Sequence, residues 1–161
     1  MYPTVLILHS VTRWVVVALL ALALVRAFTG KEAPWSAADE VPRQWLPHAM
    51  TLQLVLGLAL WLALSPLIAS ARQDMSATMK DPALRFFTVE HFTVMLIALA
   101  LVHIGAARTR RLSTPAAKRR TMLTFFGIAT LLIAWGVPWD SRPLLRLSAP
   151  APVVAVDTAT T

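Results

Sequence analysis

Four long apolar segments occupy most of this 161-residue chain, and they constrain its fold more than any other feature. They cover about residues 4–28, 46–64, 82–107 and 121–137. A helix needs roughly 20 mostly apolar residues to cross about 30 Å of hydrocarbon, and each segment is near that length or above it. The sequence therefore predicts an all-α integral membrane protein with four spans. The short connections favour an up-down-up-down four-helix bundle.

The composition agrees with burial in a bilayer. Hydrophobic residues make up 57% of the chain and charged residues 14%, whereas soluble domains have roughly 45–50% and 25%. There is no cysteine, which excludes disulfides, thiolate metal sites, iron–sulfur clusters and covalently attached haem. The net charge of +7 does not indicate nucleic-acid binding, because topology and anionic lipid explain basic residues between apolar segments.

The connections differ in charge, and this difference predicts an orientation. Residues 108–120 contain six basic side chains and no acid, whereas residues 29–45 are of mixed charge. Positively charged loops stay in the cytoplasm. With four spans, residues 29–45 and 108–120 lie on the same side of the membrane, so both loops are predicted to be cytoplasmic. Both termini are predicted to lie outside a bacterial inner membrane.

Residues 1–140 form one predicted domain, and residues 141–161 form a predicted extended tail rich in Pro and Ala. The first segment lacks a basic leader and is long enough to span, so it is predicted to be retained rather than cleaved as a signal peptide. Asp81-Pro82, a capping residue followed by proline, predicts the start of the third helix. Pro47 suits the first turn of the second helix.

All four histidines lie in or at the ends of the predicted spans, where ionisable residues are uncommon and normally face the bundle interior. His9 and His91 are predicted near the outer face, on diagonal helices roughly 11–14 Å apart, because neighbouring helices pack at about 8–10 Å. Two imidazoles and an iron need that wider gap. His9 and His91 are therefore the predicted axial ligands of a b-type haem.

Polar residues accompany this outer pair. Arg13 follows His9 by one turn, and Glu90 immediately precedes His91. An arginine at this depth suits haem propionates or Glu90, and an Arg13–Glu90 ion pair is equally consistent with a purely structural role. Three threonines are candidates for orienting a ring nitrogen: Thr12, Thr88 and Thr93.

His48 and His103 are weaker candidates for haem ligation. They are predicted near the cytoplasmic face on adjacent helices, which lie too close together for a haem. Their alternative interpretation is that they are interfacial residues or interhelical hydrogen-bond partners. Glu90 is the only acid within a predicted span, so paired-carboxylate catalysis and a multi-carboxylate metal site both lack a second member.

Several short motifs carry a resemblance to a known family: Leu8-His9-Ser10 with Arg13-Trp14, Leu52-Gln53-Leu54 with Gly57, Ser65-Pro66-Leu67, the run from Met79 to His91, and Pro138-Trp139. Together they resemble the small four-span bacterial membrane proteins labelled cytochrome b-like. The similarity covers about residues 4–140, and the run ending at His91 is its most specific part.

The resemblance implies a b-haem and electron transfer within the membrane, with His9 and His91 on the family's LHS and VEH motifs. The chain departs from the family at Thr51, where the family has a histidine just before its Leu-Gln pair. A second haem is therefore not implied.

The resulting prediction is a membrane b-type cytochrome-like electron-transfer subunit with one haem between His9 and His91 near the outer face. It would pass electrons between a quinol pool and a partner, and a quinone site is an open alternative. The other hypothesis is a non-catalytic accessory subunit of a larger respiratory or photosynthetic complex. Both hypotheses predict contact with the lipid bilayer and with other membrane-protein subunits, and neither predicts a stand-alone enzyme.

Overall fold

The computed structural model describes residues 1–30 and 33–138, and this part of the chain is all-helical, with no strand. The all-α prediction is confirmed for these residues. The predicted tail, residues 141–161, lies outside the described residues, as does Trp139.

Helices follow one another almost without interruption. In chain order they are α1 (Tyr2–Thr29), α2 (Ala37–Ala59), a first π-helical turn (Leu60–Leu64), α3 (Pro66–Ala71), α4 (Met75–Lys80), α5 (Pro82–Arg85), a second π-helical turn (Phe86–Glu90), α6 (His91–Arg110) and α7 (Pro115–Gly136). Three helical stretches of the described residues are long and apolar enough to cross a membrane: Tyr2–Thr29, Ala37–Leu64 and Pro82–Arg110.

The fourth predicted span, residues 121–137, belongs to α7, which is not among those three helices. α7 has 22 residues, but Lys118, Arg119 and Arg120 occupy its first two turns. These basic residues lower the mean hydropathy of the helix and leave it a shorter apolar stretch than the other three have.

The second helix begins earlier than its apolar segment does. Ser36 and Asp39 form a capping box, in which the Ser36 backbone N–H donates to the Asp39 carboxylate at 3.0 Å, so α2 starts at Ala37. Pro47 consequently lies in the helix interior, and the prediction that it occupies the first turn was wrong. The helix start at Pro82 was predicted correctly, because Asp81 accepts hydrogen bonds from the first backbone amides of α5.

The four long helices pack in a ring. α1 packs against α2 and α7, and α6 packs against the same two helices, so α1 and α6 lie across from each other. Residue 57 of α2 lies beside residue 9 of α1, and Asp39 lies beside Arg26, so α1 and α2 run antiparallel. The core between the helices is apolar and includes Leu46, Val102 and Phe126, none of which is exposed.

Arg119 ties the α1–α2 connection to the start of α7. Its side chain is only 3% exposed and donates to both carboxylate oxygens of Asp39, at 3.0 and 2.9 Å. It also donates to three backbone carbonyl oxygens of the connection: those of Gly30, Ala33 and Pro34. Asp39 also accepts from Arg26 at 3.1 Å. We call this set of groups the arginine clamp.

The clamp changes the interpretation of one residue. The sequence grouped Arg119 with the exposed basic side chains of loop 108–120, whereas the structure buries it against a carboxylate 80 residues away. Hydrogen bonding to Asp39 raises the pKa of the Arg119 guanidinium above its ordinary value, so the side chain stays charged.

Candidate functional site

The two histidines predicted near the outer face meet between opposite helices. His9 lies in α1, and His91 is the first residue of α6. Their ring centroids are 6.4 Å apart, with an angle of 67° between the ring planes. Both side chains are half-buried.

A hydrogen bond from α7 fixes the orientation of the His91 ring. Its Nδ1 lies 2.7 Å from the carbonyl oxygen of Gly136, which only accepts, so Nδ1 carries the proton and Nε2 keeps the lone pair. Gly136 is the last residue of α7, where helical carbonyls have no partner within their own helix. His91 therefore caps α7 while presenting Nε2 as a potential metal ligand.

The sequence suggested threonines for this orienting role, and the structure assigns it to a backbone carbonyl. The Thr12 hydroxyl donates to the carbonyl oxygen of Leu8 in its own helix. The buried Thr88 hydroxyl has no hydrogen-bond partner among the described residues, and Thr93 is exposed. Every residue has a backbone carbonyl, so the residue types could not indicate that Gly136 orients the His91 ring.

Helix α2 forms the surface against which His9 packs. The Gln53 side-chain amide donates to the His9 carbonyl oxygen at 2.8 Å. One turn further along, a Cβ added at Gly57 would lie 3.3 Å from Cε1 of the His9 ring, closer than side chains ordinarily pack. Gln53 and Gly57 were part of the motif similarity, but nothing in the residue pattern indicated that they lie beside His9. The structure shows that they are its direct neighbours.

Both π-helical turns adjoin this site. The Trp61 indole N–H, in the first π turn, donates to the Thr88 carbonyl oxygen in the second at 2.9 Å. The Trp61 ring also stacks on Phe92, with centroids 5.2 Å apart. A π turn widens a helix and is common at functional sites. Here the two widened turns lie side by side, next to His91.

Arg13 and Glu90 have separate surroundings. Arg13 lines the same cavity as the two histidines, and its guanidinium carbon lies 5.8 Å from the centre of the Trp14 ring. Glu90 accepts a hydrogen bond from Arg85 at 2.6 Å. The ion pair formed by Glu90 is therefore with Arg85, the other arginine near this depth, rather than with Arg13.

His48 and His103 lie toward the other end of the helices, away from this pair. His103 Nε2 is 3.1 Å from the Thr51 hydroxyl of α2, which makes it an interhelical hydrogen-bond partner. The His48 ring makes an edge contact with Trp45, with centroids 5.9 Å apart. Both histidines are exposed on the helix surface. These contacts are the ones expected from the non-ligand interpretation of both residues.

The separation of the two imidazole rings matches that of two imidazoles bound to one iron. Metal–imidazole bonds are about 2.0–2.1 Å long, so two imidazoles on opposite sides of one metal ion have ring centroids roughly 6 Å apart. The observed 6.4 Å agrees with that value. The adjoining cavity of about 170 Å³ is below the roughly 300–1,000 Å³ usual for ligand pockets. In this structure the cavity is too small to enclose a whole macrocycle.

Within residues 1–30 and 33–138, no group of three or more His, Cys, Asp or Glu side chains is close enough to hold a metal ion. Comparisons of the chain with models of known protein families, with curated proteins and with solved structures found no match. The resemblance to cytochrome b-like proteins stays a prediction from the motifs.

Proposed function

We propose that this protein is a small membrane cytochrome-like subunit that holds one b-type haem between His9 and His91. The observation that carries the proposal is the approach of two imidazoles from opposite helices, at the ring separation that two axial ligands need. When bound, the haem would supply a one-electron redox centre within the membrane.

The chain's own groups have distinct parts in this proposal. The Gly136 carbonyl holds His91 as the tautomer whose Nε2 can bind a metal. Gln53 holds the backbone of α1 at the level of His9. Arg13 places a positive charge on the cavity wall, where it favours an anionic substituent of the ligand.

The proposal includes four crossings of a bacterial inner membrane. The apolar part of α7, residues 121–137, would provide the fourth crossing, beside α1 and α6. Loops 29–45 and 108–120 would then be cytoplasmic and both termini outside. The six basic residues and the lack of any acid in loop 108–120 support this orientation.

A second candidate function is that of an accessory subunit that packs against a larger membrane complex. The outer surface of α7 is compatible with it, because Leu131 and Trp135 are 72% and 60% exposed. Such side chains suit either lipid or another apolar helix. In this case the two histidines would serve only in packing.

A reduced-minus-oxidised absorption spectrum of the purified full-length protein, supplied with haem, tests the proposal. We expect a b-type α-band with one haem per chain, lost in both His9→Ala and His91→Ala. His48→Ala and His103→Ala are the matched controls and should retain the band. A folded, helical preparation that binds no haem would exclude the cytochrome proposal and favour the accessory subunit.

A further inference from the structure

Two adjacent arginines at the start of α7 have opposite environments. Arg119 is buried in the arginine clamp, with its charge balanced by Asp39. Arg120 is exposed. Adjacent positions of α7 therefore hold one arginine with a structural role and one whose charge is exposed.

Arg120 borders a groove between the end of α1 and the first turns of α7. The groove has a volume of about 220 Å³ and is lined by Ala27, Ala116, Arg119, Arg120 and Leu123. The two alanines leave the space open, and Leu123 makes one wall apolar. A basic rim above an apolar wall is compatible with a phospholipid, whose headgroup is polar and whose chains are apolar.

The loop that ends at Arg120 is strongly positive. Loop 108–120 contains no acid. Lys118 lies over the Trp35 ring at 4.9 Å, and Arg108 lies over Phe125 at 5.5 Å. Neither aromatic contact neutralises a charge, but Glu40 lies close enough to Lys118 to offset part of its field.

We propose that this groove binds an anionic phospholipid, with its phosphate at Arg120 and an acyl chain against Ala27 and Leu123. Basic pockets between transmembrane helices on the cytoplasmic side recognise anionic headgroups, and each basic side chain near the surface contributes to the attraction. This step rests on the proposed fourth crossing: if α7 spans the membrane from residue 121, Arg120 lies at headgroup depth and Leu123 just inside the hydrocarbon. The proposal does not depend on haem binding.

Native mass spectrometry of the full-length protein in mixed detergent–lipid micelles tests it. Phosphatidylglycerol and phosphatidylcholine with identical acyl chains are supplied in equal amounts. We expect preferential retention of phosphatidylglycerol, and inorganic phosphate at the same concentration should not displace it. Equal retention of the two lipids would overturn the proposal, and so would displacement by inorganic phosphate.

Variants locate the site. Arg120→Gln should weaken phosphatidylglycerol retention about five-fold, which corresponds to roughly 1 kcal/mol for one basic side chain. Ala116→Leu fills the groove without changing the charge and should also reduce retention. Lys80→Gln removes one exposed positive charge at the end of α4 and is the control, with no expected change. If Arg120→Gln behaves like Lys80→Gln, the groove is not the lipid site.

Discussion

The two ends of the helix ring accommodate buried polar groups in different ways. At one end, the arginine clamp surrounds a guanidinium with a carboxylate and three carbonyl oxygens. At the other, His9 and His91 meet ring to ring beside a cavity and two widened helical turns. Dense charge-assisted hydrogen bonding fixes one arrangement of the chain. The paired, half-buried imidazoles lie beside open space, which leaves room for a ligand.

This contrast predicts that the clamp governs stability, and the largest expected effect is for Arg119→Met. The change leaves three carbonyl oxygens without their donor and removes a main partner of Asp39, which is 1% exposed. We expect a loss of about 3–5 kcal/mol in the free energy of unfolding, measured by denaturant unfolding in detergent.

Arg120→Met is the matched control for Arg119→Met, because it makes the same substitution at the next, exposed position. Its effect should stay within about 0.5 kcal/mol. Equal destabilisation by the two variants would show that the clamp has no special role in stability.

Gly57→Ala should act on ligand binding rather than on stability. The new Cβ would lie 3.3 Å from the His9 ring, which must shift to accommodate it. If haem binds as proposed, we expect about ten-fold weaker haem affinity from this overpacking, measured by spectroscopic titration. Gly127→Ala is the control, because a Cβ there would contact nothing within 4 Å. Unchanged haem affinity in Gly57→Ala would show that the His9 ring is not part of the binding site.

Gln53→Leu should have a smaller effect on stability. It removes the hydrogen bond to the His9 carbonyl oxygen, which is worth about 0.5–1.5 kcal/mol. Denaturant unfolding of the protein measures the loss. Gln44→Leu makes the same change at an exposed position of α2 and should be nearly neutral. A loss of about 3 kcal/mol or more is the scale of a broken buried ion pair. Such a loss would show that the histidine end matters as much for stability as the arginine clamp does.

Arg85→Gln should have the smallest effect. The ion pair of Arg85 with Glu90 is short, but the two side chains are 36% and 31% exposed. Solvent-exposed pairs of this kind contribute roughly 0.2–1 kcal/mol. The loss on unfolding should shrink further at high salt, because exposed charges are screened. A salt-independent loss above that range would show that the histidine end also depends on an ion pair.

Much of the fold could be predicted from the sequence because it depends on local composition. Long apolar runs and the Asp81-Pro82 cap are visible in the residues themselves. The meeting of His9 and His91 was also predictable, since it follows from the order of helices around a ring. The haem that would join them stays a prediction.

The features that could not be predicted depend on contacts between residues distant in sequence. Arg119 looks like any other member of a basic loop, and only its approach to a carboxylate 80 residues earlier reveals that it is buried. The start of α2 was missed for a related reason, because hydrophobicity marks only its apolar part, whereas Ser36 and Asp39 begin the helix by hydrogen bonding. The part played by the Gly136 backbone has no counterpart in side-chain chemistry.

The bond between His91 and Gly136 links the imidazole mechanically to the end of a helix. Gly136 is the final residue of α7, so one turn of unwinding there would remove the acceptor that fixes Nδ1. The ring would then be free to rotate and to exchange its two tautomers. Tension applied to the chain just beyond α7 would thus reach the His91 side chain without passing through the apolar core.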